Sequence, residues 1–522
     1  MAKIRLKAEC RECGEAYSKL IDTEDTEGVV KLVCPYCGYE SKVEFVDNSI
    51  KYVLKGESKV FGLDDIIRFP KGIEMYSKEF NNIQKEKTMK TNFMVFIAGD
   101  NNLDMAGTRD IEEMLAVAET GEHLNIIVQY DQSKGENSST KRFIIQNGEK
   151  VLEEDIGETN TGDVNTLTEF LDWGMKKGFN DGRNIVILWN HGGGSSDDLP
   201  GYHNNIKALG RSIERVKVSK SSGTLRPISA NSTMGDEPSL FPRRVRQARL
   251  KGFMEKDQGL KDITDNLVKS ILLDDESKDF IDNIELKEVF TTYGKKIDII
   301  GFDACLMSMM EVVYQLRDHS EIIVGSEENE PSHGWDYTAI LSYIVENPNA
   351  SNDAISKKII DSYIDSYKHL KGGRKLSLSS IRTDKLTNIV SLMDDFARTV
   401  LENESKVLKT LRDIVDDVEY FNNDDLYFDL YHFVSLTKKY YSQEDSYQEE
   451  IIESSSRLLE EIKDLIIDNK TVKLKNAHGV SVYLGTNAKM SSLAFNIFAE
   501  LDINSEAPNW FELFKKMNKK LG

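Results

Sequence analysis

One cysteine and one histidine lie where they could carry out nucleophilic chemistry. Cys305 follows the apolar segment 297–304, and His191 follows the apolar segment 184–190. A thiol nucleophile needs a base to take its proton and an acid to protonate the leaving group, and imidazole can do both near neutral pH. The glycines at 192–194 leave space beside the histidine, and their N–H groups, with that of Cys305, could stabilise an oxyanion. Together these residues predict a His–Cys catalytic dyad.

Each of the two residues also has a simpler interpretation. A lone cysteine at the end of a strand is usually a small apolar core residue, and runs of glycine also simply turn the chain. Among the seven other histidines, His333 in the segment 331–335 is the main competitor for a catalytic role. Packing alone, however, poorly explains a histidine that follows a buried strand and precedes three glycines, and this favours His191.

The other four cysteines form two Cys-x-x-Cys pairs near the N-terminus. Cys10 and Cys13 are separated from Cys34 and Cys37 by 20 residues, and each pair lies at a turn that contains glycine. This spacing is typical of a zinc ribbon, and so short a module has too little core to fold without a metal. The alternatives are two structural thiol pairs or two disulfides. We expect structural Zn2+ at these cysteines, with a protein or a nucleic acid as a candidate partner of the ribbon.

Strands and helices alternate around the candidate dyad. Continuous apolar runs, as in strands buried on both faces, occur at 93–98, 124–130, 184–189, 297–302 and 321–326. Helical segments between these runs are predicted at 103–119, 165–178 and 306–316. This alternation predicts an α/β fold with a mostly parallel sheet flanked by helices. In such a sheet functional groups gather beyond the carboxyl ends of the strands, which is where His191 and Cys305 fall.

The 522 residues are enough for two or three domains. We predict a zinc ribbon at 1–50, a connector at 51–90, a catalytic core at 91–350 and a mostly helical region with one late strand at 351–522. Inside the core, residues 207–251 carry 11 Lys and Arg against three acidic residues and are rich in Ser, Gly and Pro. This composition predicts an exposed basic loop between the two dyad residues.

The charge of the whole chain argues against some partners. It has 67 Lys and Arg against 88 Asp and Glu, a formal net charge of −21. A field of this sign repels phosphates, which excludes a general nucleic-acid or anionic-membrane binder but not a local basic surface. The sequence shows no apolar segment of membrane-spanning length and no secretory signal peptide. We therefore expect a cytoplasmic protein without a membrane partner.

Two segments around the candidate dyad resemble the clostripain family of cysteine peptidases. They are Leu188-Trp189-Asn190-His191-Gly192 and Gly301-Phe302-Asp303-Ala304-Cys305-Leu306-Met307. Less specific matches to the same family lie at 94–103, 326–331, 334–335, 376–381 and 479–483. The similarity covers about residues 91–515 and leaves the ribbon outside.

The resemblance implies a caspase-like α/β fold and a cysteine endopeptidase that cleaves proteins or peptides after Arg or Lys. His191 would be the general acid and base, and Cys305 the nucleophile. Asp303 would lie in the pocket for the basic side chain, where a carboxylate favours a cation, and the N–H of Gly192 is a candidate substrate contact. The alternative is that Asp303 caps a following helix.

Two further properties follow from the resemblance. Members of the family are commonly activated by self-cleavage in the loop between the dyad residues, which here is 207–251. Some members need calcium, and oxygen ligands for Ca2+ could come from Asp274, Asp275, Glu276 and Asp279. The alternative for these four residues is a solvated acidic loop.

Two other functions compete with the peptidase. One is a binding or regulatory protein on an inactive peptidase fold, acting through its zinc ribbon. The other is a thiol-dependent transferase or a different hydrolase that uses the same dyad. The presence of both His191 and Cys305 argues against the inactive protein.

Overall fold

The chain forms two compact units, Met1–Thr88 and Met89–Gly522. The computed structural model describes six strands between residues 3 and 61 and, beyond them, residues 88–117, 120, 122–133, 139–192, 271–274, 276–277, 279–368, 373–422, 426–484 and 498–518. The predicted basic loop 207–251 lies outside the described residues. Within the described residues no helix has both the length and the apolar character needed to cross a bilayer.

The first unit contains two antiparallel sheets of three strands. One has the order β2-β1-β6 and the other the order β3-β4-β5. Their bounds are β1 Lys3–Glu9, β2 Ala16–Asp22, β3 Gly28–Val33, β4 Glu40–Val46, β5 Ser49–Val53 and β6 Lys59–Phe61. Cys10, Cys13, Cys34 and Cys37 lie outside the described residues, so the zinc ribbon stays a prediction.

The predicted connector is partly strand. The end of β5 and the whole of β6 fall within 51–90, and β6 pairs with β1 through Lys7↔Phe61 and Glu9↔Lys59. An exposed edge of β1 has unpaired backbone groups that a third strand can satisfy, and this accounts for strand structure where the sequence pattern is weak.

The second unit is built on a sheet of nine strands, and the prediction of an α/β fold with a mostly parallel sheet is confirmed. The strand order is β10-β9-β8-β7-β11-β14-β15-β16-β18. The five central strands from β8 to β15 are parallel, while β9, β10, β16 and β18 are antiparallel to their neighbours. The bounds are β7 Thr91–Gly99, β8 Leu124–Gln132, β9 Thr140–Gln146, β10 Glu149–Gly157, β11 Arg183–Trp189, β14 Ile297–Asp303, β15 Ser320–Gly325, β16 Leu376–Arg382 and β18 Ile466–Val472.

Two short strand pairs accompany this sheet. They are β12 Ile271–Asp274 with β13 Asp279–Ile281, and β17 Tyr427–Asp429 with β19 Ser481–Tyr483. The α-helices are α1 Asp104–Leu115, α2 Val164–Lys177, α3 Asn283–Tyr293, α4 Met310–Val313, α5 Tyr337–Glu346, α6 Asn352–Tyr367, α7 Leu386–Glu402, α8 Glu404–Val415, α9 Leu430–Tyr441, α10 Glu449–Leu465, α11 Asp502–Glu506 and α12 Pro508–Met517.

Helices cover both faces of the sheet and create two cores. Side chains alternate along each strand, so Met94 and Phe96 of β7 belong to one core and Phe93 and Val95 to the other. Residues of α2, α3, α7, α9, α10 and α12 complete the first core, and residues of α1, α5 and α6 complete the second. Burial on both faces explains why the central strands have continuous apolar sequences.

Residues 351–522 share the sheet with the preceding part of the chain. The sequence predicted a mostly helical region with one late strand, but β16 and β18 extend the central sheet beyond β15. β16 escaped prediction because serines interrupt its apolar pattern. Ser377 and Ser379 are nevertheless fully buried, and Ser379 Oγ donates to the carbonyl oxygen of Gly479 at 2.6 Å.

The predicted helix 306–316 is also different in the structure. Only Met310–Val313 is α-helical, and a 3-10 turn follows at Tyr314–Leu316. Leu306 has a φ of 61°, and its backbone N–H donates to the carbonyl oxygen of Glu328. The N–H of Ser308 likewise donates to the carbonyl oxygen of Ser326. These bonds hold the segment after Cys305 against the segment after β15, which prevents a continuous helix.

Candidate active site

The register of two neighbouring strands brings His191 and Cys305 to the same edge of the sheet. β11 and β14 are adjacent and parallel, and Trp189 pairs with Asp303 at their carboxyl ends. His191 and Cys305 each lie two residues beyond this pair. The two candidate catalytic residues therefore leave the sheet side by side, as the sequence predicted from the ends of two strands.

Gly192 fixes the close approach of the two chain segments. A Cβ atom on Gly192 would lie 1.9 Å from the carbonyl oxygen of Cys305 and 2.7 Å from its backbone nitrogen. Real Cβ atoms do not approach backbone atoms so closely, so only glycine fits here. Gly192, for which the sequence predicts a substrate contact, thus permits the close contact between the histidine and cysteine segments.

The thiol of Cys305 is buried and neutral in this state. The side chain is 5% exposed, and Sγ accepts a hydrogen bond from the backbone N–H of Glu330 at 3.2 Å. Burial raises the pKa of Cys305 to about 12, although the N–H groups of Glu330 and Gly192 favour the thiolate. Cys305 is therefore a thiol in this structure, and as a nucleophile it would first have to lose its proton.

The imidazole of His191 is also neutral. Burial lowers the pKa of His191 to about 4. Its Nε2 lies 2.8 Å from Oδ1 of Asn102. Because a carbonyl oxygen can only accept, Nε2 carries the proton in this arrangement and Nδ1 is the nitrogen that can receive one.

Asn102 belongs to a short segment that is well anchored. The side-chain amide of the preceding residue, Asn101, donates to the carbonyl oxygens of Ala98 at 3.0 Å and Leu273 at 3.1 Å. Asn190 donates to the same two carbonyls, at 2.6 and 3.0 Å. These bonds connect the carboxyl ends of β7 and β11 with β12. They thereby position Asn102, which follows Asn101, and His191, which follows Asn190.

Asp303 is buried between β14 and the start of α5. It is 4% exposed, and its Oδ2 accepts hydrogen bonds from the Trp335 backbone N–H at 3.2 Å and the Tyr337 hydroxyl at 2.9 Å. Burial raises the pKa of Asp303 to about 7. No helix begins directly after Asp303, so the structure offers nothing for it to cap at this point.

Three residues of the site were not found from the sequence: Asn102, Glu330 and Tyr363. Glu330 Oε2 accepts a hydrogen bond from Nε1 of Trp335 at 3.0 Å. Tyr363 is fully buried, and the pKa of its phenol is raised by burial and by the neighbouring Glu330. The competitor histidine, His333, is exposed on the turn before Trp335.

Of the four candidate calcium ligands, the structure describes Asp274, Glu276 and Asp279, and these three do not form one group of potential metal ligands. Asp274 accepts bonds from the Thr161 and Ser277 backbone N–H groups, and Asp279 accepts one from Asn160. Asp275 lies outside the described residues. Of the four, Glu276 has a carboxylate oxygen within 4.8 Å of those of Asp100 and Glu158. Calcium binding stays a prediction.

Comparison with known proteins decides the family. The sequence model of the clostripain family, peptidase family C11, matches residues 95–210 and 255–516. The chain belongs to the clostripain family. Clostripain of Hathewaya histolytica is 22% identical over 304 residues, which are 52% of this chain and 45% of the relative. The match thus spans less than half of that relative's length.

Solved structures share the clostripain-family fold with this chain. A secreted C11 cysteine protease from Bacteroides thetaiotaomicron, in complex with an irreversible peptide inhibitor, has a TM-score of 0.51 and 18% identity over 80% of this chain and 99% of that one. The C11 cysteine protease iotapain from the same organism has a TM-score of 0.52 and 14% identity, with 80% and 99% coverage. Both dyad candidates lie within the clostripain-family match, and the four ribbon cysteines lie outside it.

Proposed function

We propose that this protein is a cysteine endopeptidase in which Cys305 is the nucleophile and His191 the general acid and base. One observation carries the proposal: the two residues leave adjacent parallel strands in the same register, with Gly192 in direct backbone contact with Cys305. Membership of the clostripain family supports the same reaction.

The catalytic cycle follows from the two neutral groups. The Sγ proton of Cys305 passes to Nδ1 of His191, and the thiolate attacks the substrate carbonyl carbon. His191 then gives the proton to the departing amine, which leaves a thioester on Cys305. Water next transfers a proton to His191 and attacks the thioester. The acid product leaves, and the proton returns to sulfur.

Bound substrate must make proton transfer from Cys305 to His191 more favourable. With the pKa of Cys305 near 12 and that of His191 near 4, proton transfer is unfavourable in the ligand-free site. An oxyanion and a substrate chain beside the imidazole add partners for the charged forms, and proton transfer is then coupled to attack.

The proposed specificity is for Arg or Lys on the acyl side of the cleaved bond. Asp303 supports it, because a buried carboxylate two residues before the nucleophile suits a cation. Asp303→Asn should lower transition-state binding of a basic peptide by about 2–4 kcal/mol, the range for removing one partner of a buried charge pair. Equal cleavage of Arg and Asp peptides by the parent protein would be incompatible with this assignment.

The test of the activity is turnover of fluorogenic Arg and Lys peptides by the parent protein and by Cys305→Ala. We expect turnover in the parent, none in Cys305→Ala, and nearly as large a loss in His191→Ala because residues that act as a unit are not additive. Full activity of Cys305→Ala would rule out the peptidase mechanism. A folded parent protein that turns over no peptide would favour the inactive, ribbon-dependent binding protein.

We also propose activation by self-cleavage within 207–251. The segment supplies the basic residues that the pocket would accept, and it lies in sequence between the two dyad residues. Its composition, rich in Ser, Gly and Pro, predicts an exposed loop, and loops of this composition are preferred sites of proteolytic cleavage. Parent and Cys305→Ala proteins purified alike should differ, with cleavage only in the parent on denaturing gels. Equal cleavage in both, or none in either after long incubation, would contradict the proposal.

A cytoplasmic location and a structural zinc in the N-terminal unit complete the proposal. Four cysteines at ribbon spacing support the metal, and a free thiol at Cys305 together with such a ribbon suits a reducing compartment. Cell fractionation with an antibody to the chain tests the location, and recovery outside the cytoplasm would contradict it.

A further inference from the structure

A second carboxyl group faces Asp303 in the interior of the candidate specificity site. The carboxyl groups of Asp303 and Glu330 are in hydrogen-bonding contact. Trp335 holds both, since its backbone N–H donates to Asp303 Oδ2 at 3.2 Å and its indole N–H donates to Glu330 Oε2 at 3.0 Å. Two carboxylates in such contact cannot both be ionised without a cation, so one proton is shared between them.

Apart from the contact between the two carboxyl groups, two buried polar atoms at this place have no hydrogen-bond partner among the described residues. They are Oε1 of Glu330 and the hydroxyl of Tyr363. The electrostatic neighbours of that hydroxyl include Glu330, Cys305 and Asp303, so it lies beside the nucleophile and the carboxyl pair. A buried polar atom without a protein partner calls for water, an ion or a ligand to supply one, and beside a candidate nucleophile a substrate group can do so.

The chemistry of the missing ligand follows from these atoms. Neither Asp303 nor Glu330 forms an ion pair with a Lys or Arg of the described residues, so the carboxyl pair has no counter-charge of its own. A guanidinium or ammonium group brings positive charge and several N–H donors, which match the carboxylates and the lone pairs of the Tyr363 hydroxyl. Glu330 is only partly buried, and this gives a ligand a way to reach it.

We propose that Glu330 and Asp303 share one proton in the ligand-free protein, that the basic side chain of the substrate replaces this proton, and that Tyr363 contributes a third contact. This inference rests on the proposed peptidase function and assigns two further specificity residues to it. The backbone N–H of Glu330 also donates to Sγ of Cys305, so the same residue contacts both the pocket and the nucleophile.

Other ionisable groups surround the carboxyl pair, and a proton released on binding of a cation has to be distinguished from a proton of these groups. They are Asp110 and Glu113 of α1, Tyr337 of α5, Tyr363 and Tyr367 of α6, and Cys305. The cations Arg109 and Arg374 act on Asp110 and Tyr367. Burial raises the pKa values of the tyrosines and of Cys305, so these groups stay protonated at pH 8 and release nothing there.

The first experiment measures proton release without turnover. N-acetyl-arginine amide is added at saturation to Cys305→Ala in weakly buffered solution at pH 8, with a pH indicator, and N-acetyl-citrulline amide is the uncharged control ligand. We expect release of close to one proton with the arginine compound and none with citrulline. The additional change Glu330→Gln should abolish most of the release. Binding of the arginine compound without proton release would overturn the proposal.

The second experiment measures kcat/KM for Arg and Lys peptides. Glu330→Gln should lower it about 10- to 100-fold and Tyr363→Phe less, as expected for loss of a charged and a neutral hydrogen-bond partner. Tyr293→Phe is the matched control, because its buried hydroxyl also lacks a partner among the described residues but lies in the other core, on α3. Near-UV circular dichroism checks folding.

The outcomes separate this inference from the proposed function. If the parent cleaves basic peptides and both Glu330→Gln and Tyr363→Phe match Tyr293→Phe, the pocket assignment is wrong and the peptidase stands. If the parent cleaves no peptide, the proposed function is wrong. If Glu330→Gln does not fold, proton release by Cys305→Ala and the kinetics of Tyr363→Phe decide.

Discussion

At the scale of single residues, burial sets the charge of the dyad. Cys305 and His191 lie at the carboxyl edge of the sheet, where Cys305 is buried and His191 is partly buried, so both side chains are at least partly desolvated. Desolvation disfavours a thiolate and an imidazolium alike, so burial alone predicts a neutral pair. The ligand-free protein is in this respect a resting state, and in the proposed mechanism bound substrate would supply the interactions that favour the charged pair.

The first prediction concerns alkylation of Cys305. In the ligand-free protein the rate with iodoacetamide should rise continuously from pH 6 to pH 10, because the thiolate fraction grows as pH approaches the raised pKa of about 12. Peptide mass mapping of modified Cys305 measures this rate, and His191→Ala is the control. A plateau between pH 5 and pH 8, the signature of a stable thiolate–imidazolium pair, would contradict the prediction.

At the scale of elements, the contact between the ends of β11 and β14 holds the site together. Gly192→Ala should lower kcat/KM at least about 100-fold, because the new Cβ forces the His191 and Cys305 segments apart and displacements near 1 Å have effects of this size. Gly182→Ala is the control at the other end of β11, where the nearest atom to a Cβ is a side-chain carbon 3.1 Å away. Peptide kinetics on both variants, with thermal melting as a folding check, give the answer. Equal activity of the two variants would show that the contact is unimportant.

The elements also show what the sequence could predict. β11 and β14 were predictable because both faces are buried, so their apolar residues are continuous and their polar ends mark the site. β16 was not predictable, since its buried serines rely on hydrogen bonds that form only in the folded sheet. β18, with the sequence IIDNKTV, is an edge strand whose polar residues conceal its pairing.

The site residues that the sequence did not predict share a cause. Asn102 lies 89 positions before His191 in the chain, and Tyr363 comes from a helix whose pattern predicts only packing. Glu330 lies in one of the segments that resemble the clostripain family, but no spacing distinguishes it from the neighbouring glutamates. Tertiary proximity alone assigns these three residues to the site.

At the scale of the whole molecule, buried acids should make stability depend on pH. Burial raises the pKa of Asp110 to about 9, of Asp131 to about 8 and of Asp303 to about 7. Above pH 4 the unfolded chain ionises these groups while the folded protein keeps their protons. Raising the pH therefore favours unfolding until each folded pKa is passed, by up to about 1.4 kcal/mol per pH unit for each retained proton.

Denaturant unfolding of Cys305→Ala, which avoids self-cleavage, tests this dependence. The midpoint should be higher at pH 5 than at pH 8, and Asp110→Asn should reduce the difference because it removes one titrating group. A midpoint that is constant or rises over this interval would contradict the prediction.

The two compact units give a further prediction. A protein that starts at Met89 should keep its intrinsic turnover of small peptides within about threefold, because the dyad and all of its described partners lie in the second unit. The fragment 1–88 should bind one zinc through Cys10, Cys13, Cys34 and Cys37, which elemental analysis can measure. A fragment 1–88 without stoichiometric zinc would contradict the zinc prediction. A severe loss of turnover in the protein that starts at Met89 would contradict the prediction that the second unit is active alone.

The order of strands across the sheet has one more consequence. The chain before residue 193 supplies β7, β8, β9, β10 and β11, and the chain after residue 270 supplies β14, β15, β16 and β18. The sheet therefore joins two halves along the single boundary between β11 and β14. Neither half has a complete core, because both cores contain residues from each. The gene could therefore be divided in two within the stretch that encodes 207–251, and the separately translated halves should recombine into one active protein. Peptidase activity would then report that the two polypeptides had met, which is the property required of a split reporter.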